Sequence, residues 1–230
     1  MPRTLDKSLR LIIISTILAF PFVLQCANAQ SETSPRSIHF NYAFVALTYA
    51  GDRSQVVPLK SNHQLKSGDK LKLYLEALNE SYFYLFHLGP DGILQQIFPQ
   101  KHQAAKLPSD SKKIIPEGDN WLELDSQTGL EKFYLIASEG RQERLEELCA
   151  HHLTLKDNSD IQTSIKQILD EIKTIRRKNL SGNTERPVRI GGSFRSPGSE
   201  ASQVNREYFN LASKVDTNGT YSRVFAIDHR

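Results

Sequence analysis

Apolar and polar residues alternate strictly from Lys70 to Ala77. Leu71, Leu73, Leu75 and Ala77 share one face of an extended segment, and Lys70, Lys72, Tyr74 and Glu76 share the other. Residues two apart lie on one side of the backbone only in a strand, so this period predicts one. The turn sequence Lys66-Ser67-Gly68-Asp69 leads into it. Upstream, Ile38 to Tyr49 is rich in aromatic and apolar residues and stops at Gly51-Asp52. Downstream, Tyr82–Leu88 and Ile93–Pro99 flank Pro90-Asp91-Gly92, a reverse-turn sequence that predicts a hairpin. Short strand-like pieces follow at Lys112–Pro116, Trp121–Leu124 and Lys132–Ala137. Many short strands separated by Gly, Pro and Asp turns predict a mainly β fold. An antiparallel β-sandwich or barrel-like core over residues 38–140 is expected.

After Gly140 the period changes to that of a helix. Leu145, Leu148, Cys149 and His152 fall on one helical face. A second helix is expected to start at Ser159, with Gln162 completing a capping box. Ile161, Ile165, Ile168, Leu169, Ile172 and Ile175 form its apolar stripe, and Arg176-Arg177-Lys178 suit its negative end. Residues 141–179 are thus a pair of helices, 180–206 a Gly/Arg/Ser-rich loop, and 207–230 closing strands. Within the last, Thr220–Asp228 returns to the sheet.

The first residues tell of compartment. Arg3, Lys7 and Arg10 precede a mostly apolar run, Leu11–Leu24, followed by Gln25-Cys26-Ala27-Asn28-Ala29. Basic residues, a short apolar run and an Ala-x-Ala ending are the parts of a secretory signal. About 14 residues rise only about 21 Å as a helix, short of the ~30 Å hydrocarbon core, and Pro21 interrupts them. Cleavage between Ala29 and Gln30 is expected, with residues 30–37 a flexible leader. A lipoprotein signal carries a small residue before its cysteine, whereas Gln25 precedes Cys26, so no lipid anchor is expected. Loss of Cys26 leaves Cys149 without an internal disulfide partner.

Charge then excludes one class of partner. The formal net charge is only +3, and the signal segment supplies much of it. The remainder lacks the basic footprint of a nucleic-acid binder. A second membrane-spanning stretch is likewise missing, so no stable span is expected once the signal is removed.

Leu65-Lys66-Ser67-Gly68-Asp69-Lys70-Leu71 together with Tyr82-Phe83-Tyr84-Leu85 is similar to a bacterial family catalogued as domain of unknown function 4384. Gly89-Pro90-Asp91-Gly92-Ile93, Ile97-Phe98-Pro99, Ile114-Ile115-Pro116, Gly129-Leu130-Glu131 and Leu135-Ile136-Ala137-Ser138 continue the resemblance, over about residues 38 to 145. It implies an exported or surface-associated protein in an accessory or interaction role. It carries over no catalytic residue.

Motifs for chemistry are sparse. Cys149, His151 and His152 cluster, but Cys-x-His-His fits no common structural zinc spacing, and a helix end is the simpler reading. Gly191-Gly192-Ser193-Phe194-Arg195 lacks the closing glycine of a nucleophile elbow, and no phosphate-cradling loop occurs. Asp69, Asp91 and Asp119 read as turn formers, and His229 as a solvated strand end. No catalytic residue, metal or cofactor is expected. The Tyr82–Phe86 run offers a different possibility. If one of its faces were open, Tyr82, Tyr84, Phe86 and the neighbouring His87 would form a binding surface; the blander reading covers both faces. The expected function is an exported, non-enzymatic envelope module in the periplasm or at the cell surface, binding a protein partner or surface polymer. Two alternatives stand beside it: an envelope hydrolase with dispersed residues, such as His87 with an Asp or Ser, and a stripe Ile161–Ile175 that docks a partner helix, although packing on the protein's own sheet is the favoured reading of that stripe.

Overall fold

Phe40, Leu73, Leu85, Leu135 and Ile227 come from five distant stretches of chain, yet each is wholly buried in one apolar layer. The computed structural model that shows this describes residues 36–51, 53–100, 104–178, 184–187 and 211–230. The expected signal peptide, its Ala29–Gln30 junction, residues 30–35 of the leader and most of the 180–206 loop lie outside the described residues.

In chain order the strands are β1 (Ser37–Ala50), β2 (Arg53–Pro58), β3 (His63–Leu65), β4 (Lys70–Ala77), β5 (Ser81–Leu88), β6 (Leu94–Phe98), β7 (Lys106–Leu107), β8 (Ser111–Ile115), β9 (Leu122–Glu123) and β10 (Gly129–Ser138). Helices α1 (Glu143–His152) and α2 (Asn158–Lys178) follow, then β11 (Thr184–Pro187), β12 (Ser213–Asn218) and β13 (Thr220–His229). One sheet runs β11-β12-β1-β4-β8, with β2 also on β1 and β9 also on β4. The other runs β3-β13-β10-β5-β6, with β7 also on β5. The fold is a mainly antiparallel sandwich of two sheets with two helices, not a closed barrel. One pairing departs from the antiparallel expectation, since β3 runs parallel to β13.

The inward faces follow from period two. Phe40 and Phe44 on β1 meet rings of the opposite sheet edge-on: Phe40 on Phe83 at 5.2 Å, and Phe44 on Phe133 at 5.2 Å and Phe225 at 5.1 Å. Edge-on contact suits the quadrupole of each ring. The alternation of β4 is realised as read, with Leu71, Leu73, Leu75 and Ala77 turned inward. Its other face is covered too. Tyr74 packs with Ala43, Val45 and Ala212, and Lys72 sends its ammonium to the Gly118 carbonyl at 2.8 Å, over the Trp121 ring. Burial lowers the Lys72 pKa, with Asp119 pulling weakly the other way.

Both helices cover the outer face of the second sheet. The α2 stripe of Ile165, Ile168, Ile172 and Ile175 joins Leu145, Leu148 and Cys149 of α1 over Tyr84, Phe86 and Ile136. The stripe thus packs on the protein's own sheet, the favoured reading, and the alternative of docking a foreign helix is set aside. The cap of α2 is corrected. Asp157, not Ser159, accepts the Ser159 amide at 2.9 Å, and its carbonyl takes the Ile161 amide at 3.0 Å, as an N-cap does.

Two boundaries shift as well. Ser37, read as leader, already pairs with Asn218 as the first residue of β1, and residues 184–187, read as loop, form β11 against β12. More consequential is β13, which lies between β3 and β10 inside its sheet. Residues 38–140 therefore lack a central strand until the chain's last residues arrive. A protein ending at Lys178 loses β12 and β13 and is expected to give no dispersed amide spectrum and no cooperative urea transition.

Candidate functional site

β5 carries the residues singled out for binding, and its two neighbours decide their fate. Phe83 and Leu85 face the opposite sheet, whereas Tyr84 and Phe86 lie under the helices and are 1 % exposed. An open aromatic platform is thus corrected: both faces of the run are covered, because α1 and α2 treat the outer face as core. Tyr84 still has a polar task. Its hydroxyl donates to Glu146 Oε1 at 2.7 Å and accepts the Gln142 amide at 3.1 Å, tying β5 to the start of α1. Burial, first among several causes, pushes the Tyr84 pKa up and keeps that donor protonated.

Tyr82 and Phe86 do reach one open feature. A groove of about 1190 Å³ runs between β6 and the C-terminal end of α1, with Ala104, Ala105 and Lys106 along another wall. Its lining mixes apolar Leu94, Ile97 and Ile168 with the amides of Gln95, Gln96 and Gln100. Leu153, just past α1, also lines it and is 73 % exposed, which is unusual for so large an apolar side chain. β6 is the last strand of its sheet, and among the described residues no strand pairs with its outer edge. A bulge at the Leu85/Phe86 step interrupts its ladder with β5.

The cysteine and histidines of α1 belong to this region. Cys149 is buried and lines the groove; burial, with the Glu146 carboxylate second, pushes its pKa up to about 12. His152 Nδ1 lies 3.2 Å from Ser164 Oγ and so links the helices. No group of three His, Cys, Asp or Glu side chains is placed to hold a metal among the described residues.

His87 points the other way. It continues the inward series Phe83, Leu85 at the end of the sandwich, stacked on Phe133 with centroids 4.5 Å apart. Its Nε2 hydrogen-bonds the Glu131 carboxylate, whose Oε1 lies 3.2 Å from His229 Nδ1. His229 Nε2 in turn lies 3.1 Å from Ser67 Oγ. His229 is 2 % exposed, so the reading of a solvated strand end is corrected: it lies between its register partners Gly129 of β10 and Leu65 of β3. Asp69 and Asp91 are turn formers as expected, accepting the amides of Lys66 and Ile93 at 2.9 Å each.

Residues 64–141 match the model of a family described as a domain of unknown function (DUF4384). None of the curated proteins and none of the solved structures matches this chain. The DUF4384 stretch supplies β4 to β10, and with them one wall of the groove and Ser67, His87 and Glu131. It excludes β1, both helices and β13, so Leu153 and His229 fall outside it.

Two outcomes test this description. Cys149 has almost no thiolate at pH 8, so iodoacetamide should modify it at least about a hundredfold more slowly in native than in urea-unfolded protein, by peptide mapping. Glu146 is held below its ordinary 4.5: burial alone would raise it, but Arg141 and Tyr84 hydrogen bonds win. A depressed carboxylate contributes stability that is complete above 4.5 and is lost as the pH falls through its folded value. The stability advantage of wild type over Glu146→Gln, by urea titration, should therefore shrink between pH 7 and pH 3.

Proposed function

We propose that the protein is an exported sandwich module that binds an extended segment of a protein partner in the groove between β6 and α1. The observation that carries this reading is a strand edge with no pairing strand among the described residues, facing a groove whose far lip bears an exposed leucine, Leu153. An extended peptide can add to such an edge. Main-chain hydrogen bonds then supply affinity for any sequence, and alternate side chains fit pockets that give specificity. Here those pockets are apolar at Leu94, Ile97 and Leu153 and amide-lined at Gln96 and Gln100. A surface glycan is the competing ligand, but it would need open ring faces, and Phe86 and Tyr84 do not offer them. Export rests on the N-terminal pattern of basic residues, apolar run and Ala-x-Ala, and puts partner and module outside the cytoplasm.

Fluorescence anisotropy separates the ligands. Fluorescein-labelled heptapeptides alternating Val and Thr should bind, and chito-oligosaccharides should not. Leu153→Glu should weaken the peptide at least tenfold, about 1.4 kcal/mol, while Lys214→Glu, on the exposed face of β12, should leave it unchanged. Glycan binding without peptide binding overturns the reading.

A further inference from the structure

We propose that Ser67 is an acyl-accepting nucleophile, with His229 as its general base, acting on carboxylic esters at one end of the sandwich. Ser67 is exposed, whereas the two groups behind it are not: His229 is 2 % and Glu131 4 % exposed. Distances of 3.1 Å from Ser67 Oγ to His229 Nε2 and 3.2 Å from His229 Nδ1 to Glu131 Oε1 form one continuous chain.

The direction of that chain follows from its donors. An ionised carboxylate only accepts, so His229 Nδ1 must carry the hydrogen facing Glu131. A neutral imidazole then presents the Nε2 lone pair to the Ser67 hydroxyl, the polarity a general base requires. His87 donates to the second carboxylate oxygen and, stacked on Phe133, holds the carboxylate still. Glu131 and His87 are thus positioning residues.

The turn presents the hydroxyl. Lys66 O accepts the Asp69 amide at 3.0 Å, Gly68 has φ +87°, and the Gly68 amide is spent on Leu124 O at 2.8 Å. The Lys66 amide is spent on Asp69. Ser67 N–H is the one amide of the turn without a hydrogen bond among the described residues, and so the one backbone donor the turn could offer an oxyanion. A single donor where efficient enzymes use two costs on the order of 10²–10³ in rate. Slow turnover is expected, and stoichiometric acylation is the better readout.

In the step itself, Ser67 Oγ bonds to the acyl carbon while the ester's C–O bond breaks. The hydroxyl proton passes to His229 Nε2 and then to the departing alkoxide, which leaves as the alcohol. Water, deprotonated by His229, then attacks the acyl-serine and releases the carboxylic acid with Ser67 restored.

The full chain is treated at pH 8 with a fluorophosphonate and, separately, with p-nitrophenyl acetate, followed by intact mass and peptide mapping. One adduct per chain at Ser67 is expected, absent in Ser67→Ala. It should be slowed at least a hundredfold in His229→Asn. Glu131→Gln should slow it at least tenfold with melting behaviour retained, and Glu131→Asp should recover part of the rate. Ser67→Ala removes an exposed hydroxyl and keeps the fold, so it remains decisive if His229→Asn unfolds. Folded wild type whose Ser67 reacts no faster than the exposed Ser126 of the same chain overturns the proposal and leaves the four residues as a stitch between strands.

Discussion

Between β12 in one sheet and β13 in the other the chain has a single residue, Gly219. Its φ of +79° is a conformation glycine adopts without a Cβ penalty, and its amide and carbonyl are tied to Arg36 O and Glu139 N. The crossing pins the two sheets together at one corner. β12 then lies beside β1 and β13 runs the length of the other sheet, so both inward faces close on each other. Every ring contact between Phe44 and Phe225, or Phe40 and Tyr221, depends on that corner.

β13 also carries polar groups to both ends of the apolar layer. Near its start, Tyr221 donates to Tyr42 and Arg223 reaches both Tyr42 and Glu185 of β11. Burial raises the pKa of both tyrosines and so preserves their O–H donors. Each group there answers another protein group, and the cluster reads as a lock for β11. At its finish, His229 answers Glu131 on one side, but on the other it meets a hydroxyl at the surface. Both ends satisfy their polar groups with hydrogen bonds, as the buried tyrosines, His229 and Glu131 must. Only the second turns a reactive atom toward solvent.

What could be read without coordinates was whatever repeats locally. β4 alternates, the Pro90-Asp91-Gly92 hairpin carries its own turn chemistry, and α2 shows a stripe at helical spacing. Each appears where expected because neighbours in sequence suffice to specify it. The covered outer face of β5 was not legible: a run apolar on both faces fits an open platform as well as a strand under helices, and α1 decides between them only in space. Asp157 displaced Ser159 as cap because both carry an acceptor, and only the backbone tells which residue stands at the helix entrance. Ser67, His87, Glu131 and His229 were hidden for the same reason as any convergent site. They lie up to 162 residues apart, and each alone reads as a turn, a strand residue or a terminus. The groove was illegible too, since one lip belongs to β6 and the other to Leu153.

Among the described residues, the sheet that carries β5 is covered on both sides. The inward faces pack on each other and the outer face of the β5 sheet lies under α1 and α2. The outer face of the other is covered only in part, Ala43, Val45 and Tyr74 packing with Val56, Trp121, Leu211 and Ala212 while Lys214 and Asp216 of β12 stay exposed. On the β5 sheet, recognition therefore falls to the strand edges and the ends. A long flat edge would invite self-association, and proteins blunt such edges with bulges and proline. β6 has both, a bulge opposite Leu85/Phe86 and Pro99 just beyond it. What remains unpaired is only a few residues long, walled by a helix. That is room for one short extended segment and a poor template for a second copy of the sheet.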